Sequence, residues 1–220
     1  VARARRFLQR LRIRPKAKKL VEAAEDLRPM RAAFVVRDNL RQRRAIERSY
    51  VDAIRSAQTR IDLMSPYFYP GRRFRHALRK AADRGVKVRL LLQGKLDYRI
   101  AGIAATVMYD ELLRHGMHIY EYMPAFLHAK VAVVDDDWAT VGSSNIDPLS
   151  LLLNLEANIV VRDRQFSQEL TREFDLAVEA SREVDAKQLK AGGFWHVLMR
   201  GLIAWCAYVY LRIAGTTGRY

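Results

Sequence analysis

Residues 128–145, HAKVAVVDDDWATVGSSN, alternate apolar side chains with polar or small ones on either side of three aspartates. An alternation of period two predicts a β-strand over residues 127–133, in which side chains two positions apart share a face. His128 and Lys130 therefore project together, so that an imidazole and an ammonium group lie side by side. The opposite face of this strand carries Leu127, Ala129 and Val131.

The second half of this stretch predicts the rest of a β-hairpin. Asp135 and the two aspartates after it are typical of a turn, and residues 138–141 form the returning strand. Gly142 begins a tight turn after the returning strand, in which Ser143 and Asn145 again point the same way. This arrangement makes Ser143 and Asn145 candidate partners of the same bound group as Lys130.

The chemistry suited to these side chains is attack on a phosphodiester. A neutral His128 acts as the nucleophile and forms a phosphohistidine, while Lys130, Ser143 and Asn145 neutralise the non-bridging phosphate oxygens as charge develops. No metal and no other cofactor is expected. The structural alternative is a buried strand histidine beside a surface lysine.

The pattern of HxK, then an aspartate, then GSxN resembles the HKD motif of the phospholipase D superfamily, and each fixed position of that motif is matched. The resemblance implies an α/β fold, namely half of the phospholipase D-like α-β-α sandwich, with a mixed sheet flanked by helices. It also implies which residues form the site. The catalytic set is His128, Lys130, Asp135 and Glu156, with Gly142, Ser143 and Asn145 at the substrate.

The two acids of this set have different expected roles. Glu156 stands at the start of the next predicted strand. In the superfamily an acid there accepts a hydrogen bond from the other ring nitrogen of the catalytic histidine and fixes its tautomer. The alternative for Glu156 is a solvated acid at a strand edge. Asp135 follows Lys130 by five residues and either orders the hairpin turn or pairs with a basic residue.

The mechanism also needs a general acid for the leaving alkoxide, and the resemblance implies that it is the histidine of a second HKD motif. This sequence contains one HxK motif. The remaining histidines lack a matching lysine or acid and are expected to be structural. We therefore expect a second HKD half as a partner, from a missing N-terminal region or from a second copy of the chain. The histidines set aside are His76, His115, His118 and His196.

Apolar periodicity around the motif predicts one mixed α/β domain over residues 30–186. Predicted strands cover residues 33–36, 60–65, 86–92, 117–122 and 157–161, and predicted helices cover about 46–57, 74–82, 100–113 and 165–184. Three aromatic residues in the loop at 66–71 either line an acyl or glycerol pocket or pack beside the sheet.

The formal net charge of +15 is concentrated near the N-terminus, because residues 1–48 hold 16 Lys or Arg against 5 acids. Residues 1–29 are interpreted as a basic tail or linker. Such a tail is attracted to anionic lipid by about 1 kcal/mol per basic residue, or it binds nucleic acid by counterion release. A solvated linker is the remaining alternative. The single Cys206 permits no internal disulfide, which fits a reducing compartment.

Residues 187–220 are interpreted as an apolar, membrane-associated C-terminal segment. A helix over residues 194–214 would be roughly 31 Å long, close to the thickness of the bilayer core. Arg200 at the centre of a bilayer would cost about 3 kcal/mol. We therefore predict an amphipathic helix that lies at the membrane interface, with packing against a missing domain as the alternative.

Further segments resemble bacterial cardiolipin synthases of the subtype that lacks N-terminal transmembrane helices, and specifically their C-terminal half. These segments are residues 35–40, 73–78, 91–94, 126–130 and 142–148. The resemblance implies transfer of a phosphatidyl group from phosphatidylglycerol to a second phosphatidylglycerol, through a phosphohistidine and with release of glycerol. It implies peripheral or monotopic attachment to the cytoplasmic face of the bacterial inner membrane.

Three alternatives to this function remain. The first is phospholipase D-type hydrolysis, in which water replaces the second alcohol. The second is a homodimeric nuclease of the same superfamily, which would use the basic tail for DNA but gives no reason for the apolar C-terminal segment. Nucleic acid is therefore not the expected partner. The third is a non-catalytic half that completes a partner's site.

Overall fold

The structure is a computed structural model that describes residues 29–94 and 108–185. The chain divides into two compact units, residues 1–30 and 31–220, and the sheet with its helices belongs to the second. Three predicted features lie outside the described residues. They are most of the basic tail, residues 100–107 of the helix predicted over 100–113, and the predicted C-terminal membrane segment.

Eight strands form one mixed sheet with the order β1-β7-β6-β5-β2-β3-β4-β8. Strands β2, β3 and β4 are parallel, and each other neighbouring pair is antiparallel. The parallel strands therefore end on the side of the sheet on which β5 and β7 begin. We call this side, formed by the ends of the strands and the connections between them, the HxK edge. The strands are β1 Arg31–Arg37, β2 Arg60–Ser65, β3 Lys87–Gln93, β4 His118–Tyr122, β5 Val131–Val134, β6 Trp138–Gly142, β7 Glu156–Arg162 and β8 Ser181–Glu183.

Helices cover both faces of this sheet, which confirms the predicted α/β architecture. They are α1 Ala45–Ser56, α2 Arg72–Asp83, α3 (the helical residues 108–114), α4 Pro148–Leu152 and α5 Arg164–Glu179. The first three helices share one core with the sheet, in which Tyr50 and Phe74 lie with Leu63, Leu90 and Leu112. No helix within residues 29–94 and 108–185 is long and apolar enough to cross a bilayer.

Helix α5 covers the other face and is joined to the sheet by an ionic cluster. Phe174 packs against Met64 and Leu91. The Arg89 guanidinium donates to buried Asp62 at 2.6 and 2.8 Å and to Asp175 of α5 at 2.7 Å. Because charge-assisted hydrogen bonds satisfy each of these groups, the cluster fixes α5 across β2 and β3.

The HxK residues lie just before a strand, and not within the strand predicted over 127–133. Strand β5 begins at Val131, where its pairing with β2 ends at Met64. Strand β2 stops one residue later, and the next residue is Pro66, which has no amide hydrogen to continue the ladder. The predicted alternation nevertheless persists, because Leu127, Ala129 and Val131 pack together against the core under α5.

The helix predicted over 165–184 is also shorter than expected. Helix α5 ends at Glu179, and residues 181–183 form β8 antiparallel to β4. Val184 N–H then donates to the carbonyl of Ile119 at 2.9 Å. Strand β4 would otherwise leave its backbone groups unpaired at the edge of the sheet, and this pairing outweighs the helical propensity of the segment.

Candidate active site

The segment that carries His128 and Lys130 is held at both ends by backbone hydrogen bonds. The Lys130 carbonyl accepts from Gly142 N–H at 3.1 Å, and Gln93 Oε1 accepts from Leu127 N–H at 2.5 Å. Lys130 Nζ donates to the carbonyl of His128 at 2.8 Å. The imidazole of His128 is exposed, whereas the side chain of Lys130 is buried. A reactive ring is therefore open to solvent on a fixed backbone.

Burial lowers the pKa of the Lys130 ammonium group, because a charge loses hydration there. The carboxylates of Glu156 and Asp147 partly oppose this effect. An ammonium group has three donors, and Lys130 uses one of them on the backbone. A bound phosphate would accept from the others and would favour the charged form of Lys130.

Ser143 and Glu156 form a second part of the site, across the β6–β7 pair. Ser143 Oγ donates to Glu156 Oε2, and it accepts from the backbone N–H of Ala157 at 3.1 Å. Glu156 Oε1 accepts from Asn154 Nδ2 at 3.4 Å. Among the described residues no hydrogen bond joins Glu156 to His128, so the structure places this carboxylate beside the hydroxyl and the lysine.

Gly142 is required by the close approach of β6 to β7. A Cβ atom at this position would lie 2.2 Å from Asn158 Oδ1 and 2.6 Å from the carbonyl of Ala157. Asn158 is buried and donates to Thr140 Oγ1 at 3.2 Å, so it cannot move aside without loss of that bond. The glycine therefore allows the chain to place Ser143 next to Glu156.

Asn145 lies on a loop that is attached to the end of β2. The Ile146 amide donates to Ser65 Oγ at 3.2 Å, and its carbonyl accepts from Tyr69 N–H at 2.7 Å. Asn145 Oδ1 is buried and has no hydrogen-bond partner among the described residues. A buried polar atom without a partner is costly, and at a candidate site it is consistent with a group supplied by a ligand.

The three aromatic residues of the 66–71 loop do not share one environment. Phe68 is buried in the main core, and Tyr69 packs against that core. Tyr67 is exposed. Core packing therefore accounts for two of the three residues, which leaves Tyr67 near the site.

Asp135 lies at the opposite edge of the sheet, about 17 Å from Lys130 at 3.3 Å per strand residue. Its carboxylate accepts from the N–H groups of Gln58, Thr59 and Arg60 and from Thr59 Oγ1, at 2.8 to 3.1 Å. Burial opposes the charge, but these donors together lower the pKa of Asp135. Its φ of 51° is a left-handed conformation that aspartate tolerates. The structure thus separates Asp135 from the other predicted catalytic residues and assigns it to the turn.

Sequence reasoning missed Arg37, which is fully buried at the end of β1 and pairs in register with Glu156. Its guanidinium donates to the carbonyls of Leu152 and Asn154 and to Asn39 Oδ1 at 2.9 Å. It therefore fixes the loop that precedes Glu156. The available signal was a charged residue directly after the apolar strand 33–36.

The HxK edge thus combines an exposed imidazole, a desolvated ammonium group, a hydroxyl held by a carboxylate and an unpartnered amide oxygen. This set can hold a phosphate group and attack its phosphorus atom. In the described parts of the chain, no three His, Cys, Asp or Glu side chains are grouped as metal ligands.

A mixed sheet between helical layers, with HxK and GSxN at one edge, defines a phospholipase D-like domain. Solved structures support this fold. Nuc of Salmonella typhimurium, described as a phospholipase D family member, superposes with a TM-score of 0.61 at 20% identity, over 71% of this chain and 99% of that chain. Phosphatidylserine synthase of Haemophilus influenzae gives 0.64 at 12% identity, over 84% of this chain and 47% of that chain.

The family itself follows from the sequence comparisons. A family model described as "Cardiolipin synthase, PLD-like domain" matches residues 50–177, and the chain belongs to this family. It is 43% identical to cardiolipin synthase B of Shigella flexneri over 179 residues, which are 80% of this chain. The chain spans 43% of the length of that relative.

Proposed function

We propose that this chain is the C-terminal half of a cardiolipin synthase-type phosphatidyltransferase. The observation that carries the proposal is the convergence of His128, Lys130, Ser143, Asn145 and Glu156 at one edge of the sheet. In this proposal the substrate is phosphatidylglycerol in the bacterial inner membrane, and the protein is attached peripherally at the cytoplasmic face. The 43% identity to a cardiolipin synthase B supports this choice of reaction.

The reaction has two steps through His128. A ring nitrogen attacks the phosphorus of phosphatidylglycerol, so that a P–N bond forms, the P–O bond to glycerol breaks and a general acid protonates the glycerol oxygen. The hydroxyl of a second phosphatidylglycerol then loses its proton to the same group and attacks the phosphohistidine. The P–N bond breaks and cardiolipin is released. Lys130 and Asn145 bind the non-bridging oxygens in both steps.

Glu156 and Ser143 support these steps from the side. The Glu156 carboxylate favours the charged form of Lys130, because its negative charge partly offsets the lowering of the Lys130 pKa by burial. The Ser143 hydroxyl donates to Glu156, and by rotation about its side-chain bond it can donate to a phosphate oxygen instead. We propose that Glu156 also accepts from the His128 ring when substrate is bound.

The general acid comes from a second domain with its own HKD histidine. An exposed apolar row supports a docked domain. Phe34, Ile159 and Val141 are register neighbours on β1, β7 and β6 and are exposed. Two register pairs further along, Val36 opposes Ala157, whose N–H donates to Ser143 Oγ. A domain on this row would therefore reach the site, and the length of the relatives leaves room for it.

The test is to incubate the purified chain with phosphatidylglycerol vesicles and to follow cardiolipin, phosphatidic acid and glycerol together. Cardiolipin with matching glycerol is the expected product once a second domain is present, either as a second copy or as an added N-terminal half. Phosphatidic acid with matching glycerol headgroup release would instead indicate hydrolysis. No lipid product with the N-terminal half present would exclude both reactions for this chain.

A further inference from the structure

Large apolar side chains are exposed on the loops at the HxK edge. Leu40 follows β1, Tyr67 follows β2, Met123 and Phe126 follow β4, and Leu152 and Leu155 precede β7. Leu40, Phe126 and Leu155 have 82%, 65% and 74% of their surface exposed. We call these six residues the apolar rim. They come from four separate connections, so no single local sequence pattern accounts for them.

The opposite edge of the sheet differs. Within residues 31–94 and 108–185, its connections carry no exposed large apolar side chain. The turn after β5 and the end of α2 instead present the exposed acids Asp137 and Asp83. Scattered apolar side chains on a protein surface are ordinary, but their concentration at one edge indicates an interaction surface.

The charges at the HxK edge favour an anionic partner. Arg41 and Arg43 in the first connection and Arg72 and Arg73 at the start of α2 are exposed. The acids of this edge are half-buried and already accept hydrogen bonds. Asp38 accepts from the N–H groups of Leu40 and Gln42, Asp147 from Ser150, and Glu156 from Ser143.

We propose that the apolar rim inserts into the surface of an anionic phospholipid bilayer, so that the HxK edge of the sheet faces the membrane. Apolar side chains at headgroup depth flanked by arginines are the pattern of interfacial binding. Insertion would bring His128 to the depth of the lipid phosphates. This inference rests on the proposed function for the identity of the lipid as substrate, but not for the insertion itself.

A second protein domain fits this edge less well than a lipid surface. The rim residues stand on separate loops around an open site, whereas the apolar row of Phe34, Ile159 and Val141 forms a flat sheet face. The salt bridges formed among the described residues do not include Arg41, Arg43, Arg72 or Arg73. If a domain covered the rim, these four guanidinium groups would be desolvated without a salt bridge to the described parts of this chain. Lipid phosphates provide those counter-charges.

Insertion is measured with a fluorescent label at one position at a time, because other parts of the chain can also contact vesicles. In the full chain with Cys206→Ser, a cysteine replaces Leu40, Phe126 or Leu155 in turn and carries an environment-sensitive fluorophore. The probe vesicles are phosphatidylglycerol with phosphatidylcholine, with and without quencher-bearing lipids. Control labels replace Asp83 and Asp137, two exposed residues at the opposite edge. The same labels in a His128→Ala background separate insertion from turnover.

The expected result is a blue shift and lipid quenching at the three rim positions, and no change at the two control positions, with or without His128. Replacing Leu40 and Phe126 together by aspartate should weaken vesicle partitioning about tenfold, whereas Ile159→Asp, on the sheet face outside the rim, should not. If the protein binds vesicles but the labels at the rim positions show neither a blue shift nor quenching by lipid, the proposal is wrong. It is also wrong if the labels at the rim positions become buried without lipid as protein concentration rises, which would indicate a protein partner. Insertion without any lipid turnover in the presence of the N-terminal half would leave this inference standing and remove the proposed function.

Discussion

The HxK motif places polar residues at both the HxK edge and the opposite edge of the sheet, but the hydrogen bonding and burial of these residues differ between the two edges. At the opposite edge Asp135 accepts four hydrogen bonds from residues 58–60 and is fully used in holding the turn to β2. At the HxK edge His128 is exposed, Lys130 is desolvated and Asn145 Oδ1 has no partner among the described residues. Satisfied polar groups stabilise a fold, whereas unsatisfied ones are available to a ligand.

The largest effect is expected from the exposed end of the motif. His128→Ala removes the nucleophile, and Lys130→Met removes the charge but keeps the buried aliphatic stem. Each should lower turnover of phosphatidylglycerol by roughly 10³-fold or more, with little change in the free energy of unfolding for His128→Ala. The matched control is His115→Ala at the opposite edge, where His115 bonds Asp83 at 3.2 Å. Near-normal turnover in either site variant would exclude the proposed mechanism.

The next effect concerns Arg37, which supports the HxK edge from within the fold. Arg37→Met removes the buried donor of the hydrogen bonds to the carbonyls of Leu152 and Asn154, so the free energy of unfolding should fall by about 3 kcal/mol. Denaturant unfolding measures this change. Arg31→Met, at the exposed start of the same strand, is the control. A loss as small as that of the control would show that the buried guanidinium does not hold the loop.

Sequence reasoning succeeded where local spacing carries the information. The alternation in 127–131 identified Leu127, Ala129 and Val131 as the side chains that pack under α5, although this segment is not a strand and Lys130 on its other side is itself buried. The GSxN spacing predicted that Ser143 lies near the HxK residues, and the end of β6 brings it to the same edge of the sheet. The contacts of Arg37 with residues 152–154 depend on the pairing of β1 with β7, which no local pattern specifies. Strand β8 was missed for the same reason, because its pairing comes from the backbone of β4 and not from its own residues, SRE.

Asp135 tests the structural side of the comparison. Asn tolerates the left-handed φ of 51°, so Asp135→Asn removes the charge and half of the acceptor capacity without new strain. The free energy of unfolding should fall by about 2 kcal/mol at neutral pH. Because the pKa of Asp135 is lowered in the fold, its contribution is present above the unfolded pKa and is lost as pH falls through the folded pKa.

The difference between the wild-type chain and Asp135→Asn should therefore shrink on acidification, as measured by unfolding at a series of pH values. Turnover per folded molecule should stay unchanged. Asp137→Asn is the matched control, since Asp137 is exposed and lies 3.7 Å from Arg162. A loss of turnover in Asp135→Asn without loss of stability would return Asp135 to the catalytic set.

The smallest effect is expected from Glu156, where the two roles of polar groups meet in one side chain. Burial lowers the pKa of Lys130 and the Glu156 carboxylate partly restores it, so Glu156→Gln should lower that pKa further. Lys130 would then lose its charge at a lower pH, so the alkaline decline of kcat/KM should move to lower pH and the loss of turnover should grow as pH rises. Titration of the Lys130 amine by NMR measures the same shift of its pKa without turnover.

Glu169→Gln on the exposed side of α5 should leave both measurements unchanged. If Glu156→Gln lowered turnover without changing the pKa of Lys130, the carboxylate would act on His128 alone. The charged form of Lys130 would then be stabilised by the bound phosphate and not by Glu156.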